Sequence, residues 1–312
     1  MERQAAWPEM DYAQWRETAA TLQLWTQVVG KVRLALTPWL NHSWQVPFYV
    51  SARGFGTSPI PVGSEILEFE FDFIDHRLVA RTSRGDTRTL ALEPQTVADF
   101  HRRVMDLLQD IGVAVTINEL PNEVPEPIRF SEDRVHRVYD AAAAHRFWRA
   151  LVQCDHVFKL FRSGFLGKAS PVHLFWGGFD LAVTRFSGRR APPHPGGIPG
   201  LPDRITREAY SHEVSSAGFW PGSEAFPQAA FYSYAYPEPS GFRACPVTQG
   251  ASYNAALGEF ILPYDTVHGA AGPDALLLNF LSTTYAAAAE TGGWDRAALE
   301  CPLGVPAQPR GV

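Results

Sequence analysis

The chain has 312 residues, 46% hydrophobic, 19% charged and 12% aromatic, with 25 Gly, 25 Pro and 3 Cys. Such a composition supplies ample apolar surface to bury. It excludes a disordered tail, a disulfide-stapled miniature, a collagen-like repeat and a coiled coil. The net charge is −6, from 33 acids against 27 bases, and Lys and Arg form no block. Nucleic acid is therefore not an expected partner.

The start, MERQAAWPEMDYAQW, lacks a cationic opening before an apolar stretch, and no run of about 18 apolar residues follows anywhere. The expectation is a cytoplasmic protein with no membrane partner. Cys154, Cys245 and Cys301 are odd in number and widely spaced, with no CxxC. Incidental thiols fit them better than a zinc knuckle or a disulfide framework.

In chain order, Asp11 to Leu36 reads as helix, because Leu22, Trp25, Val28, Val29, Val32 and Leu36 recur at helical spacing and Pro38 ends the pattern. Val46 to Ala52 reads as strand and Gly54 to Gly63 as a turn-rich segment. Glu68 to Phe73 alternates strictly, and with His76 to Thr82 and Arg88 to Leu92 it forms an antiparallel meander. Thr96 to Ile111 is helical, and Val113 to Ile117 is a short strand. Asn122 to Pro127, two prolines among acids, is a linker. Asp133 to Phe161 is then a long helix or a broken pair, leading to the strand-like Val172 to Phe186. Arg189 to Pro202 is a Pro/Gly loop. Strands follow around Ala209 to Ser215, Ala230 to Tyr236 and Gly258 to Leu262, and a last helix runs from Pro273 to about Glu290.

The expected fold is therefore α+β: antiparallel sheet packed by long helices in two similar helix–meander–helix halves, 1–121 and 122–312, closely packed. An offset of 126 residues aligns Leu40 with Leu166, Val46 with Val172 and Phe48 with Leu174. A ligand cleft is expected between the halves. The strings LWTQVVGKVRLALTPWLNHSW, HLFWGGFDLAVTRFSGR, YSHEVSSAGFWPG and FYSYAYPEP resemble an uncharacterised bacterial family, the domain of unknown function numbered five-nine-nine-six. The resemblance spans nearly the whole chain. It implies one unit rather than two domains, and it carries no established activity.

Candidate chemistry concentrates between Val172 and Tyr236. Trp176-Gly-Gly-Phe179 suits a hairpin whose Gly pair makes a primed two-residue turn. Phe175 then faces Asp180 and His173 faces Ala182, leaving His173 and Asp180 diagonal neighbours at roughly 7–8 Å. They would form a His–carboxylate pair for acid/base work. One long bulged strand is the alternative, and it would hold the two apart. His212 lies one face away from Glu213. His173 and His212, with Asp180 or Glu259, would make a two-His–one-carboxylate set for a transition metal. Arg185, in an otherwise apolar strand, needs an anion and would hold an anionic substrate group. Tyr232, Tyr234 and Tyr236 share one strand face, with Tyr234 as proton donor and Tyr236 binding substrate. Trp176 and Trp220 would supply an apolar wall. His42 ranks behind His173. There is no GxSxG elbow, phosphate loop or dinucleotide fingerprint.

The first expectation is an enzyme for a small polar or anionic molecule, working by metal-assisted oxidation or hydrolysis. A non-catalytic small-molecule binder and an assembly protein are the alternatives. The three differ in whether the titratable groups converge on a hollow, an apolar cavity stands alone, or the tyrosine stripe lies on a flat surface.

Overall fold

The computed structural model describes residues 7–198 and 200–310. Its first helix, α1 (Tyr12–Leu36), is capped by the Asp11 carboxylate, which accepts from the Ala13 amide. It runs through the middle of the molecule: Leu24 to Arg33 are all buried. A helix enclosed on every side needs partners for its polar residues. Gln23, Gln27 and Lys31, spaced four apart, form one stripe that bonds loop backbone rather than water.

The first meander comprises β1 (Tyr49–Val50), β2 (Gly54–Gly56), β3 (Ile60–Val62), β4 (Glu65–Asp72), β5 (Arg77–Thr82) and β6 (Thr87–Ala91), followed by α2 (Val97–Asp110). Its sheet runs β1-β2-β4-β5-β6, with β3 also on β4. The segment read from sequence as turns thus holds two strands. Gly54 and Gly56 sit in β2 because a Cβ on either would strike the Phe71 or Phe69 carbonyl of β4.

The rest of the chain supplies α3 (Ala141–Ser163), β7 (His173–Phe175), β8 (Asp180–Arg190), α4 (Asp203–Ala209), β9 (His212–Trp220), β10 (Ala230–Tyr236), β11 (Ser252–Asn254), β12 (Glu259–Pro263), α5 (Tyr264–His268), α6 (Pro273–Thr291) and α7 (Arg296–Leu299), so that a helix interrupts its strands as none does in the first meander. The second sheet runs β11-β12-β10-β9-β8-β7, every pairing antiparallel. The sheets meet where Phe48 and Leu174 exchange backbone hydrogen bonds of 2.9 and 2.8 Å. One apolar core, from Trp7 to Trp294, runs through both halves. The fold is α+β, as the alternation and helical periodicity imply.

Four assignments differ from expectation. Val113 to Ile117 forms no strand. The helix expected from Asp133 begins at Ala141, because the buried Asp133 carboxylate accepts from the Val135 and His136 amides and holds a turn, while Asp140 caps the helix. The strand expected from Ala209 starts at His212, after α4. Arg189 and Arg190 belong to β8, not to the loop that follows, and Pro199 of that loop lies outside the described residues. Among the described residues no helix is long and apolar enough to cross a membrane. All three cysteines are free thiols.

Candidate functional site

The hairpin forms. Phe175 pairs with Asp180, Leu174 with Leu181 and His173 with Ala182, the expected register. Its turn works differently. Neither Gly177 nor Gly178 has positive φ; Phe179 does, at 58°. The glycines serve close approach instead. A Cβ on Gly177 would collide with the Glu123 carboxyl, 2.9 Å from its Cδ, and one on Gly178 would lie 2.8 Å from Asp180 Oδ1. Their bare backbone therefore gives two carboxylates room to approach each other.

Strand alternation sorts the side chains of β8 onto two faces. Asp180, Ala182, Thr184 and Phe186 line a cavity of about 310 Å³. His173 and Phe175 of β7, Val214 and Ser216 of β9, and Tyr232 and Tyr234 of β10 line it too. The first half contributes Trp44 and His42, so the cavity lies at the seam. His42 adopts φ 60° and bonds the Ala209 carbonyl at 2.8 Å and Lys168 Nζ at 2.6 Å. That contact and the Phe48–Leu174 bridge each join residues 126 apart.

Glu123 arrives on an irregular strap that α1 holds. Lys31 donates to the Leu120 carbonyl. Gln27 exchanges two bonds of 2.8 Å with the Asn122 backbone, and Asn122 donates to the Gly200 carbonyl. With φ 56°, residue 123 then turns its carboxyl toward the Gly177–Gly178 turn. Glu123 is exposed by area, and its carboxyl lies against the Gly177–Gly178 turn at the cavity wall. Sequence reading placed it in a linker, and no local signal marks it, since the contacts that hold it come from α1.

Burial first, and then the charge of Asp180, raise the Glu123 carboxyl to about 7. Burial raises Asp180 to about 6 against the pull of Tyr232, whose hydroxyl donates to Asp180 Oδ2 at 2.5 Å. Glu259, beside this face of β10, is pushed to about 7 by burial and by Asp180. It does not line the cavity. His173 is 1% exposed and burial pulls it down to about 4, so its imidazole is neutral. Its Nδ1 bonds the Pro171 carbonyl at 2.6 Å, which fixes the proton there and leaves Nε2 an acceptor. Among the described residues Nε2 has no partner. Tyr210 and Tyr234 join hydroxyls at 2.7 Å, and Thr184 and Ser216 at 2.8 Å.

Several expected roles are corrected. His173 and Asp180 share the face but bond other partners, so they form no His–carboxylate pair. The metal set of His173, His212 and Glu259 is not assembled: among the described residues no three His, Cys, Asp or Glu gather as ligands. His212 starts β9 opposite Arg190 and bonds the Ser211 hydroxyl. Arg185 lies on the other face, under α3. Its guanidinium stacks 3.6 Å from the Phe161 ring centroid and 4.3 Å from that of Tyr285, and it donates to the Phe161 carbonyl. It does not line the cavity, so an anionic substrate there loses its expected anchor. Trp220 stacks on Phe226 and Tyr236 bonds the Pro192 carbonyl, both outside the lining. Trp176 does form a wall, its Nε1 donating to the Val46 carbonyl at 3.1 Å. Tyr234 faces the cavity as expected, and the Tyr232–Tyr234 pair is not on an open surface.

An acid whose pKa is higher folded than unfolded keeps a proton that the unfolded chain has released. Its stabilising share is largest at low pH and is lost as pH rises through the folded value. For Asp180 that window runs from about 4 to about 6. Asp180→Asn keeps an acceptor for Tyr232 and removes the buried charge. It is expected to be more stable than wild type by roughly 1–2 kcal/mol at pH 8, a figure discounted for water in the cavity. The gap should close as pH falls toward 4. Paired urea titrations across this range check it; a gap that does not depend on pH would show that Asp180 is ionised at no cost.

The sequence profile of a family of unknown function, DUF5996, matches residues 7–301. No curated protein and no solved structure matches the chain.

Proposed function

The chain belongs to this family, which prescribes no activity, and we propose from the cavity itself that the protein is an enzyme acting on a small polar molecule by proton transfer. One observation carries the reading. Asp180 Oδ1 and Glu123 Oε2 converge on the same point beside Gly178, at 2.8 and 3.7 Å from where its Cβ would be. Two carboxyls held that close in a largely apolar cavity cannot both ionise freely, and their environments separate an acid from a base. Glu123 keeps its proton near neutrality and serves as acid. Asp180, oriented by Tyr232, serves as base. Among the described residues no gathered ligand set supports metal-assisted chemistry.

The location supports the reading as well. Ligand sites favour the seam between packed units, and we infer that the two halves, with their similar element order, arose by duplication. Three free thiols accord with a reducing, cytoplasmic setting.

The test is turnover. Purified protein incubated with a mixture of small polar metabolites should deplete at least one compound, followed by mass spectrometry. Asp180→Asn and Glu123→Gln should each slow that depletion by roughly 10²–10⁴-fold while remaining folded. If compounds bind but none is transformed, the cavity belongs to a binding or sensor protein instead.

A further inference from the structure

We infer that the molecule taken by this cavity carries a protonated amine, an inference that rests on reading the cavity as a ligand site. Three features of the lining converge on it.

The first is the sign of the charges. Asp180 and Glu123 are the carboxylic acids of the lining, and among the described residues no Lys or Arg lines it. Lys168 touches the wall through His42, at 2.6 Å, without belonging to the lining. An anion would enter against two carboxyls with no guanidinium to meet it. An ammonium would instead neutralise them, which removes the repulsion between two acids held beside one glycine.

The second is the imidazole of the wall. His173 lines the cavity as a neutral ring whose Nδ1 proton is held by the Pro171 carbonyl, so it brings no positive charge to repel a cation. An ammonium has three N–H groups, and the lining offers the carboxylates of Asp180 and Glu123 to accept them. A carboxylate ligand would offer none of these donors.

The third is the wall. Trp44, Phe175, Trp176, Phe186 and Tyr232 line the same space, and aromatic faces attract cations within about 6 Å of the ring centre. Two of them already face a cation, since Lys168 Nζ stands 4.7 Å from the Phe186 centroid and 5.4 Å from that of Trp44, which leaves Phe175, Trp176 and Tyr232 to the ligand. The volume, about 310 Å³, suits a ligand of roughly ten heavy atoms at the packing of a water-sized unit.

Three probes of one shape separate the possibilities: 3,3-dimethylbutylamine, 3,3-dimethylbutan-1-ol and 3,3-dimethylbutanoate. They share a tert-butyl body and differ in being a cation, a neutral alcohol and an anion. Titration calorimetry on the full chain at pH 8 should show the amine binding at least tenfold more tightly than the alcohol, and the butanoate not at all. Asp180→Asn and Glu123→Gln should each weaken the amine tenfold or more and weaken the alcohol by less than they weaken the amine. Alcohol or butanoate binding as tightly as the amine overturns the inference while leaving the cavity a ligand site. Amine binding that both variants retain in full also overturns it. Silence from all three probes removes the ligand site and with it the enzyme reading.

Discussion

Gly30→Ala is expected to destabilise the protein by about 2–4 kcal/mol, although alanine is the better helix former by about 1 kcal/mol. Gly30 is buried in the middle of α1. A Cβ there would lie 2.7 Å from Trp176 Cε2 and nearer still to Cδ1 and Nε1. The opposing contact is a rigid indole, itself only 7% exposed, whose Nε1 donates to the Val46 carbonyl. The ring can withdraw only into the cavity it lines, at the expense of that bond. Overpacking of about 1–3 kcal/mol and an orphaned buried N–H of similar cost together exceed the helical gain. A second substitution supplies the control. Gly30→Ala combined with Trp176→Phe trades the indole for a smaller ring, so the pair should be less harmful than the sum of its members. Urea denaturation of the three variants measures both quantities. A Gly30→Ala protein at least as stable as wild type would mean that α1 and the cavity wall are not in this contact. Because Trp176 also lines the cavity, Gly30→Ala should weaken amine binding too, although residue 30 is not itself part of the lining.

Gly30 also illustrates what the chain shows in advance and what it hides. The element order and the hairpin register were legible, because each rests on local repetition. Leu22, Trp25, Val28 and Val29 mark a helix by spacing. Glu68 to Phe73 marks a strand by alternation. The apolar runs on either side of Gly177 and Gly178 mark a reversal. The face that carries His173, Phe175, Asp180, Tyr232 and Tyr234 follows from the same alternation, and the structure gathers all five around one cavity. What alternation does not show is which face looks onto a cavity and which onto a helix. Arg185 looked functional because an arginine stands out in an apolar strand, and its face turned out to meet α3. Glu123 was invisible for the opposite reason. It sits among prolines and acids, and its strap is held over the hairpin turn by distant partners, the side chains of Gln27 and Lys31 almost a hundred residues before it and the Gly200 carbonyl after it. The glycine pair was noticed for turn geometry, whereas its role depends on Glu123. Local pattern reports backbone shape, while the site depends on long-range packing that no short window contains.

Arg185 then offers a test that separates structure from chemistry. It is 4% exposed, and its guanidinium lies among Phe161, Phe165 and Tyr285, with Glu300 contributing favourable charge. Burial pulls its pKa down to about 10, so the charge is carried at a cost and retained by stacking and by the Phe161 carbonyl. Arg185→Ala empties that space, removes three ring contacts and takes one of two hydrogen bonds from the Phe161 carbonyl, which keeps the Gly164 amide. Together these should cost about 3–5 kcal/mol. Arg185→Met keeps most of the volume without a charge to desolvate, and such exchanges are often close to neutral, so the loss should stay below about 2 kcal/mol. Denaturant midpoints give these numbers. The same two proteins, assayed where both are folded, should bind 3,3-dimethylbutylamine as wild type does, since the side chain lies across the sheet from the cavity. Arg185→Met with wild-type stability and abolished binding would instead put Arg185 back among the groups that meet the ligand. It would also mean that the face of β8 turned toward α3 takes part in recognition.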